Sequence, residues 1–171
     1  MDLPIELDFT LSAQDYSNST RIFYAKQPSV WIGLGLSAIF FVYGFILLFT
    51  SGSETLTTSL VVIALFPVLL LVYFVLSPNR VAKRIAQFER FTAPQHWRID
   101  DEEVQITQTF GDATVKWSDF VGVVESKEYI LLRFAVNRNA FQIVPKRAFA
   151  SQQQMEAFSD LVKQKIGRGK K

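Results

Sequence analysis

Two long blocks of apolar residues dominate the hydrophobic pattern of the chain. The first runs from Val30 to Thr50 and the second from Ser59 to Ser77, and neither contains a charged residue. A helix of about 20 residues spans about 30 Å, which is the thickness of the hydrocarbon core of a bilayer. A soluble core helix is usually apolar on one face only, and the rest of the chain is too small to bury two such helices. The pattern therefore predicts a transmembrane hairpin over residues 30–77.

The charges around this hairpin predict its orientation. The connecting segment 51–58 is short, polar and free of Lys and Arg, whereas both outer flanks are basic. Basic flanks stay in the cytoplasm, so we expect a multi-pass protein of the cell membrane (inner or plasma membrane) with both termini cytoplasmic. The flanking cations are Arg21, Lys26, Arg80, Lys83, Arg84 and Arg90.

Several residues of the two spans have a predicted role of their own. Trp31 and Tyr73 occupy positions typical of interfacial anchors. Gly33 and Ser37 form a small-xxx-small pair, which is a packing or dimer signal, and Pro67 predicts a kink in the second helix. Neither span carries an ionisable residue, which argues against a proton relay or a charged transport site.

The segment before the hairpin, residues 1–29, predicts a strand and then a helix. Residues 5–11 alternate apolar and polar side chains, as in a half-buried strand. Ser12 and Asp15 then form a capping-box pattern, which predicts a helix that continues to Gln27. We expect Pro28 to end or reorient this helix just before the membrane.

A basic helix is predicted directly after the second span, over residues 78–94. Its apolar positions recur at helical spacing through Phe91, with basic residues between them. Arg80, Lys83 and Arg84 are candidate contacts for lipid headgroups. The alternative is that these charges only fix the topology of the hairpin.

From residue 95 onward the hydrophobic period changes from helical to two, which predicts an antiparallel meander. The predicted strands are 96–100, 104–110, 113–117, 121–126, 129–135 and 140–144, followed by a helix from Ser151 that ends at Gly167. An isolated strand at residues 5–11 would be unstable, so we expect it to join this sheet. The predicted fold class is an α+β membrane protein: a transmembrane hairpin plus a cytoplasmic β domain, residues 95–171, with about seven strands and a C-terminal helix. That composition is pleckstrin-homology-like.

Two motifs of this β domain carry a resemblance to a known family. They are Val115-Lys-Trp-Ser-Asp-Phe-Val-Gly-Val-Val-Glu125 and Phe141-Gln-Ile-Val-Pro-Lys-Arg-Ala-Phe149. Together with the hairpin before them, they resemble the YcxB-like family of bacterial membrane proteins. The resemblance implies a cytoplasmic domain of pleckstrin-homology-like shape on a two-span anchor. It implies no catalytic residues.

The residues of these motifs predict a structural role first. Trp117 is expected to anchor the core, Ser118 to cap a helical turn, and Pro145 to end the last strand. Lys146 and Arg147 follow that strand, where they are candidates for binding an anion or a partner carboxylate. The alternatives are that they pair with acidic residues of the same domain or face water.

Searching the sequence for catalytic or metal chemistry finds little. The single histidine, His96, has no nucleophile motif or metal-ligand spacing around it, and the acidic run Asp100–Glu103 is predicted to be a turn. The chain has no Cys, which excludes thiolate metal sites. The basic tail from Lys163 to Lys171 is a solvated segment or a contact for anionic lipid, and no motif for nucleic acid accompanies it. We expect no catalytic residue, metal or cofactor.

Two hypotheses of function follow. The first is a non-enzymatic, membrane-anchored cytoplasmic binding module that engages a protein partner or lipid headgroups. The alternative is an oligomeric membrane pore or transport accessory, which Pro67 and the Gly33–Ser37 pair suggest. The expected partners are the lipid bilayer, a protein and further copies of the chain, and not a nucleic acid.

Overall fold

The computed structural model describes residues 4–50, 65, 68, 72, 80, 84, 85, 87–137 and 139–167. Its helices are α1 (Ala13–Ala25), α2 (Pro28–Thr50), α3 (Glu89–Thr92) and α4 (Gln152–Gly167). Its strands are β1 (Ile5–Phe9), β2 (Gln95–Ile99), β3 (Glu103–Gln108), β4 (Ala113–Lys116), β5 (Phe120–Glu125), β6 (Tyr129–Phe134) and β7 (Phe141–Pro145). Two 3₁₀ turns, Trp117–Asp119 and Lys146–Ala148, follow β4 and β7.

The strands form two antiparallel sheets in chain order. β1 to β4 make a four-stranded sheet, and β5 to β7 make a three-stranded sheet. The C-terminal helix α4 packs against β5 and against the 3₁₀ turn after β4. The predicted α+β class, with seven antiparallel strands and a C-terminal helix, is confirmed for this part of the chain.

The N-terminal strand lies in the same sheet as the strands that follow the predicted hairpin. β1 pairs antiparallel with β2 over five residue pairs, from Ile5–Ile99 to Phe9–Gln95. The odd-numbered residues of β1 are buried and the even-numbered ones are exposed, as the alternation predicted. Leu11 lies beyond the end of the strand but is also buried. The strand was expected to join this sheet, and the pairing is present.

One hydrophobic core connects both sheets with α1 and α4. Trp97 of β2 is fully buried and contacts Phe9 at 5.5 Å between ring centroids. Phe23 of α1 is 1% exposed and stacks on Phe141 of β7 at 4.6 Å. Phe158 of α4 is buried as well. Because α1 lies between β1 and α2 in the chain, this core is assembled from both sides of the predicted hairpin.

The predicted capping box at the start of α1 is present. The Asp15 amide donates to Ser12 Oγ at 3.2 Å, and the Ser12 amide donates to Asp15 Oδ2 at 2.8 Å. The helix ends at Ala25, and a new helix begins at Pro28. Proline suits the first position of a helix because its missing N–H would have no partner there. The prediction that the first helix ends just before the membrane segment is thereby confirmed.

Helix α2 is long and apolar enough to cross a membrane. Its 23 residues span about 35 Å, and the stretch Pro28–Ile46 has a mean hydropathy of 1.9. Only 11% of that stretch is buried, whereas a soluble core helix would be mostly buried. Beside Gly33 there is open space, and Ser37 is 8% exposed. The second predicted span, 59–77, lies outside the described residues except for 65, 68 and 72, which are helical.

The basic helix predicted over residues 78–94 is interrupted in its described part. The amides of Gln87 and Phe88 donate to the carbonyl oxygens of Arg84 and Ile85, three residues earlier, as at the end of a helix. Phe88 has an extended backbone, so the short helix α3 begins separately at Glu89. The break lets Phe91 meet α1: its ring packs edge-on to Tyr16, whose hydroxyl donates to the Phe91 carbonyl oxygen at 3.0 Å.

The prediction that Ser118 caps a helical turn is wrong. The turn begins at Trp117, and the Asp119 carboxylate accepts a hydrogen bond from the Lys116 amide at 3.2 Å. Trp117 does anchor the core as predicted, since it is 5% exposed. Its indole N–H donates to the Asp100 carbonyl oxygen at 3.0 Å, which fixes the turn against the β2–β3 connection.

Candidate functional site

The two predicted anion-binding cations lie in the 3₁₀ turn that follows β7. Pro145 is the last residue of β7, and Lys146 and Arg147 begin the turn directly after it. Lys146 is largely buried, with 19% of its side chain exposed, and Arg147 is half-exposed at 54%. Arg147 therefore stands at the surface of the sheet domain while Lys146 is mostly covered, and each has an acidic partner within reach.

Arg147 forms a two-pronged ion pair with Asp15 at the start of α1. Its two terminal nitrogens donate to the two carboxylate oxygens, each at 2.7 Å. One of them also donates to the Thr10 carbonyl oxygen at 3.1 Å. Parallel bonds of this kind are stronger and more specific in geometry than a single contact. This ion pair therefore connects the start of α1 to the turn that follows β7.

The Asp15 carboxylate is the centre of a larger hydrogen-bond network. It is 6% exposed and also accepts from the Tyr129 hydroxyl at 2.8 Å and from the amide and hydroxyl of Ser12. Burial alone would raise the pKa of Asp15, but the bonds from Arg147, Ser12 and Tyr129 outweigh it and hold that pKa well below its usual range. Burial and the Asp15 charge raise the pKa of Tyr16 to about 12. Asp15 is therefore ionised throughout the physiological pH range.

Lys146 pairs with a different carboxylate, at the end of β5. Its ammonium nitrogen lies 2.7 Å from Glu125 Oε1, and this bond lowers the pKa of Glu125. The positive charge of Lys163 on α4 acts in the same direction. The geometry of both predicted cations matches the alternative drawn from the sequence, namely pairing within the domain. An external anion would have to compete with Asp15 and Glu125.

Glu125 also joins the sheet domain to the start of the membrane-length helix. Lys26, two residues before α2, donates through Nζ to the Glu125 carbonyl oxygen at 2.8 Å. On the other side of the junction, Trp31 of α2 donates its indole N–H to the Ala25 carbonyl oxygen at 2.7 Å. These two bonds link the end of α1 to the start of α2 and to Glu125, the residue before the β5–β6 turn (Ser126, Lys127 and Glu128).

The predicted headgroup contacts lie only partly within the described chain. Arg80 and Arg84 are helical and exposed. Lys83 lies outside the described residues. Exposure of the two arginines fits a headgroup contact, and it fits equally a charge that only fixes topology.

A cleft of about 440 Å³ opens between the two sheets beside α1 and α3. Its apolar wall includes Tyr16, Phe91 and Phe141, and glutamine amides such as Gln108 and Gln142 add hydrogen-bonding groups. Apolar walls with a few polar groups are typical of sites that bind small molecules or peptide side chains.

His96 and the acidic turn have structural partners. His96 lies on β2 and contacts Asp8 of the neighbouring β1, with 2.7 Å between Nδ1 and Oδ1. Asp100 Oδ1 accepts from the amides of Glu102 and Glu103 at 2.9 Å each, which builds the predicted turn. Within the described residues, no group of three or more His, Asp or Glu side chains could hold a metal ion.

Sequence reasoning missed the importance of Asp15 and Lys26. The capping box identified Asp15 as a helix-capping residue, but its pairing with Arg147 joins residues 132 positions apart. As part of a basic flank, Lys26 predicts the topology of the hairpin, and nothing in its local pattern indicates a bond to Glu125, 99 residues away. In both cases the local sequence does not show which distant segments of the chain contact each other in the fold.

The C-terminal part of the chain is similar to one family of known proteins. Residues 99–162 match the model of the family described as YcxB-like protein, and both motifs that carried the resemblance lie in that segment. No curated protein matches the chain. No solved structure matches it either. The matched segment begins at the last residue of β2 and ends within α4. Over residues 99–162, the chain is similar to the YcxB-like family.

Proposed function

We propose that the protein is a non-enzymatic binding module that a two-span hairpin anchors in the cell membrane, with a pleckstrin-homology-like domain on the cytoplasmic side. The observation that carries this proposal is the junction at Lys26, where the sheet domain is bonded to the residues that lead into a membrane-length helix. A domain held in this way presents the same end to the bilayer at all times. That arrangement suits recognition of lipid headgroups or of a protein in the same membrane.

Two surfaces of the domain support the binding role. Lys26, which bonds to the Glu125 carbonyl oxygen, and Lys127 in the β5–β6 turn are both exposed, and exposed cations suit anionic headgroups. The cleft between the sheets, with Tyr16 and Phe91 in its wall, suits a side chain of a protein partner. The 4-plus-3 strand arrangement with a terminal helix supports the pleckstrin-homology-like shape.

Extraction of the tagged full chain from native membranes into polymer discs tests this proposal. We expect the discs to contain either a stoichiometric protein partner or anionic lipid in excess over the bulk membrane, as measured by mass spectrometry. The matched control is another two-span protein extracted from the same membranes. Discs with bulk lipid composition and no second protein, as in the control, would contradict the binding role.

The alternative, an oligomeric pore or transport accessory, depends on the two predicted spans. Pro67 lies outside the described residues, and the Gly33–Ser37 pair remains a prediction of helix packing. Conductance of the purified protein in planar bilayers is the measurement that would favour this alternative over the binding module.

A further inference from the structure

The strand β4 is an open edge of the four-stranded sheet. Within the described residues it pairs only with β3, and no strand lies on its other side. Asp112, directly before the strand, is exposed, and so are Ala113, Thr114 and Lys116. An edge strand of this kind has unpaired N–H and C=O groups, so it can pair with a further strand.

The register of the β3–β4 pair shows which backbone groups point outward. The Gly111 amide donates to the Gln108 carbonyl oxygen at 3.1 Å. Hydrogen-bonded pairs of an antiparallel ladder recur at every second residue, so the odd-numbered residues of β4 bond to β3. The backbone N–H and C=O groups of Thr114 therefore point away from β3, as do those of Asp112 and Lys116.

The charges of this edge are complementary to a second copy of the same edge. Asp112, Thr114 and Lys116 share one face of the strand, because side chains alternate between the two faces. If two copies of β4 run antiparallel with Thr114 opposite Thr114, Asp112 of each copy lies opposite Lys116 of the other. A shift of one copy by two residues removes these charge pairs, and a shift by four places like charges opposite each other. Neither charged residue forms an ion pair within the described part of the chain.

The backbone of the edge fits the same register. Because the N–H and C=O groups of Thr114 point outward, the two copies of this residue can exchange a reciprocal pair of hydrogen bonds. The Lys116 amide is already used, since it donates to Asp119 Oδ2 at 3.2 Å. The pairing is therefore short, with backbone bonds at its centre and an ion pair between side chains at each end.

From this register we infer that β4 is a dimerisation edge, at which two copies of the chain pair antiparallel about Thr114. A strand pair of this length buries much less than the roughly 1,000 Å² of a stable interface in solution. Confinement of both copies to one membrane, as the proposed anchoring provides, raises their effective concentration and favours the pair. The inference goes beyond the proposed function, because the partner is the chain itself.

Disulfide crosslinking of the full chain in native membranes tests this dimer. The chain contains no cysteine, so Thr114→Cys cannot form a disulfide within one copy. A hydrogen-bonded pair of antiparallel strands places opposite Cα atoms about 5.5 Å apart, which suits a disulfide. We expect mild oxidation to convert Thr114→Cys into a covalent dimer.

The matched control is Gln105→Cys. Gln105 is also exposed and lies opposite Thr114 on β3, one strand further from the edge. In the dimer its two copies are about 14 Å apart, which is too far for a disulfide. Equal crosslinking of both variants would overturn the inference, since it indicates random collision. The inference also fails if Thr114→Cys forms no dimer, or if it crosslinks to a different protein in place of itself.

Exchange of the two charges tests the register, in the Thr114→Cys background. Asp112→Lys places like charges opposite each other and should lower the crosslinked fraction about fivefold. The double exchange Asp112→Lys/Lys116→Asp makes the opposing charges complementary again and should restore crosslinking. A double exchange that crosslinks as poorly as the single one would contradict pairing about Thr114.

These outcomes separate the dimer from the proposed function. A chain that does not crosslink but retains a different protein or anionic lipid in polymer discs would remove the dimer and leave the binding module intact. A chain that crosslinks through Thr114→Cys but carries only bulk lipid would keep the dimer and remove the binding role.

Discussion

At the scale of single residues, Asp15 joins the part of the chain before α2 to the part after it. It caps α1 through Ser12, as its local sequence predicts, and it also accepts two bonds from Arg147 and one from Tyr129. A buried carboxylate is stable only when such bonds replace its hydration. Its contribution to stability should therefore be large and dependent on pH.

The substitution Asp15→Asn should lower the free energy of unfolding at pH 7 by about 2–3 kcal/mol, because it removes charged hydrogen bonds from a buried site. The pKa of Asp15 is lowered in the folded state, so this stabilisation is present above the unfolded pKa of about 4 and is lost as the pH falls below it. The difference in free energy of unfolding between the unmodified chain and Asp15→Asn should therefore become smaller in acid. Denaturation in detergent, followed by the fluorescence of the buried Trp97 and Trp117, measures this free energy.

The matched control is Asp101→Asn. Asp101 contacts Lys165 at the same distance of 2.7 Å, but its side chain is 68% exposed. Exposed pairs contribute under about 1 kcal/mol, so this variant should be nearly as stable as the unmodified chain. If both variants lose the same stability at pH 7, the network around Asp15 is not the cause.

At the scale of elements, β1 is the strand whose place in the sheet depends on the whole fold. It lies before α2 in the chain, yet all of its pairs are with β2, about 90 residues later. Its buried residues Ile5, Leu7 and Phe9 belong to the common core. β1 therefore completes the sheet and is not a free N-terminal extension.

Deletion of residues 1–11 should unfold the sheet domain. Burying each large apolar side chain contributes about 1.5–3 kcal/mol, and the segment buries four of them, so the sum approaches the whole stability of an ordinary domain. Limited proteolysis of the protein in detergent should then cut within residues 95–167 at a protease concentration that the full chain resists.

A second variant tests whether the effect of the deletion comes from the exposed charges of β1 or from its buried side chains. Glu6→Gln/Asp8→Asn changes only the exposed face of β1 and should leave protease resistance unchanged. Were the deletion equally resistant, the hairpin would be a plain N-terminal anchor, and the β1–β2 pairing would contribute nothing to the domain.

At the scale of the whole molecule, the membrane-length helix α2 and the sheet domain are joined by a junction within the described residues. Lys26 and Trp31 hold that junction by bonds to backbone carbonyl oxygens of Glu125 and Ala25. Cytoplasmic termini require that the connecting segment 51–58 lies on the opposite side of the membrane from the sheets. This arrangement is directly testable because the chain contains no cysteine.

Single cysteines introduced as Glu54→Cys and Asp112→Cys should react differently with a membrane-impermeant maleimide. For a two-span hairpin, Glu54→Cys is labelled in intact cells, or in spheroplasts if an outer membrane is present. Asp112→Cys, in the exposed turn between β3 and β4, is labelled only after permeabilisation. Labelling of Asp112→Cys in intact cells would reverse the orientation, and protection of Glu54→Cys would argue against two crossings.

By itself the sequence determined the seven strands and the helices α1, α2 and α4, because their signals are local. Alternation gave the strands to within about two residues, the Ser12–Asp15 box gave the start of α1, and the uncharged stretch gave α2. The YcxB-like region was recognisable from its two motifs. Only the tertiary structure decided how Lys146 and Arg147 are used, where the basic helix breaks at Phe88, and that Lys26 bonds to Glu125. Those features depend on contacts between residues that are far apart in the chain, and hydrophobic period and charge pattern carry no information about such distances.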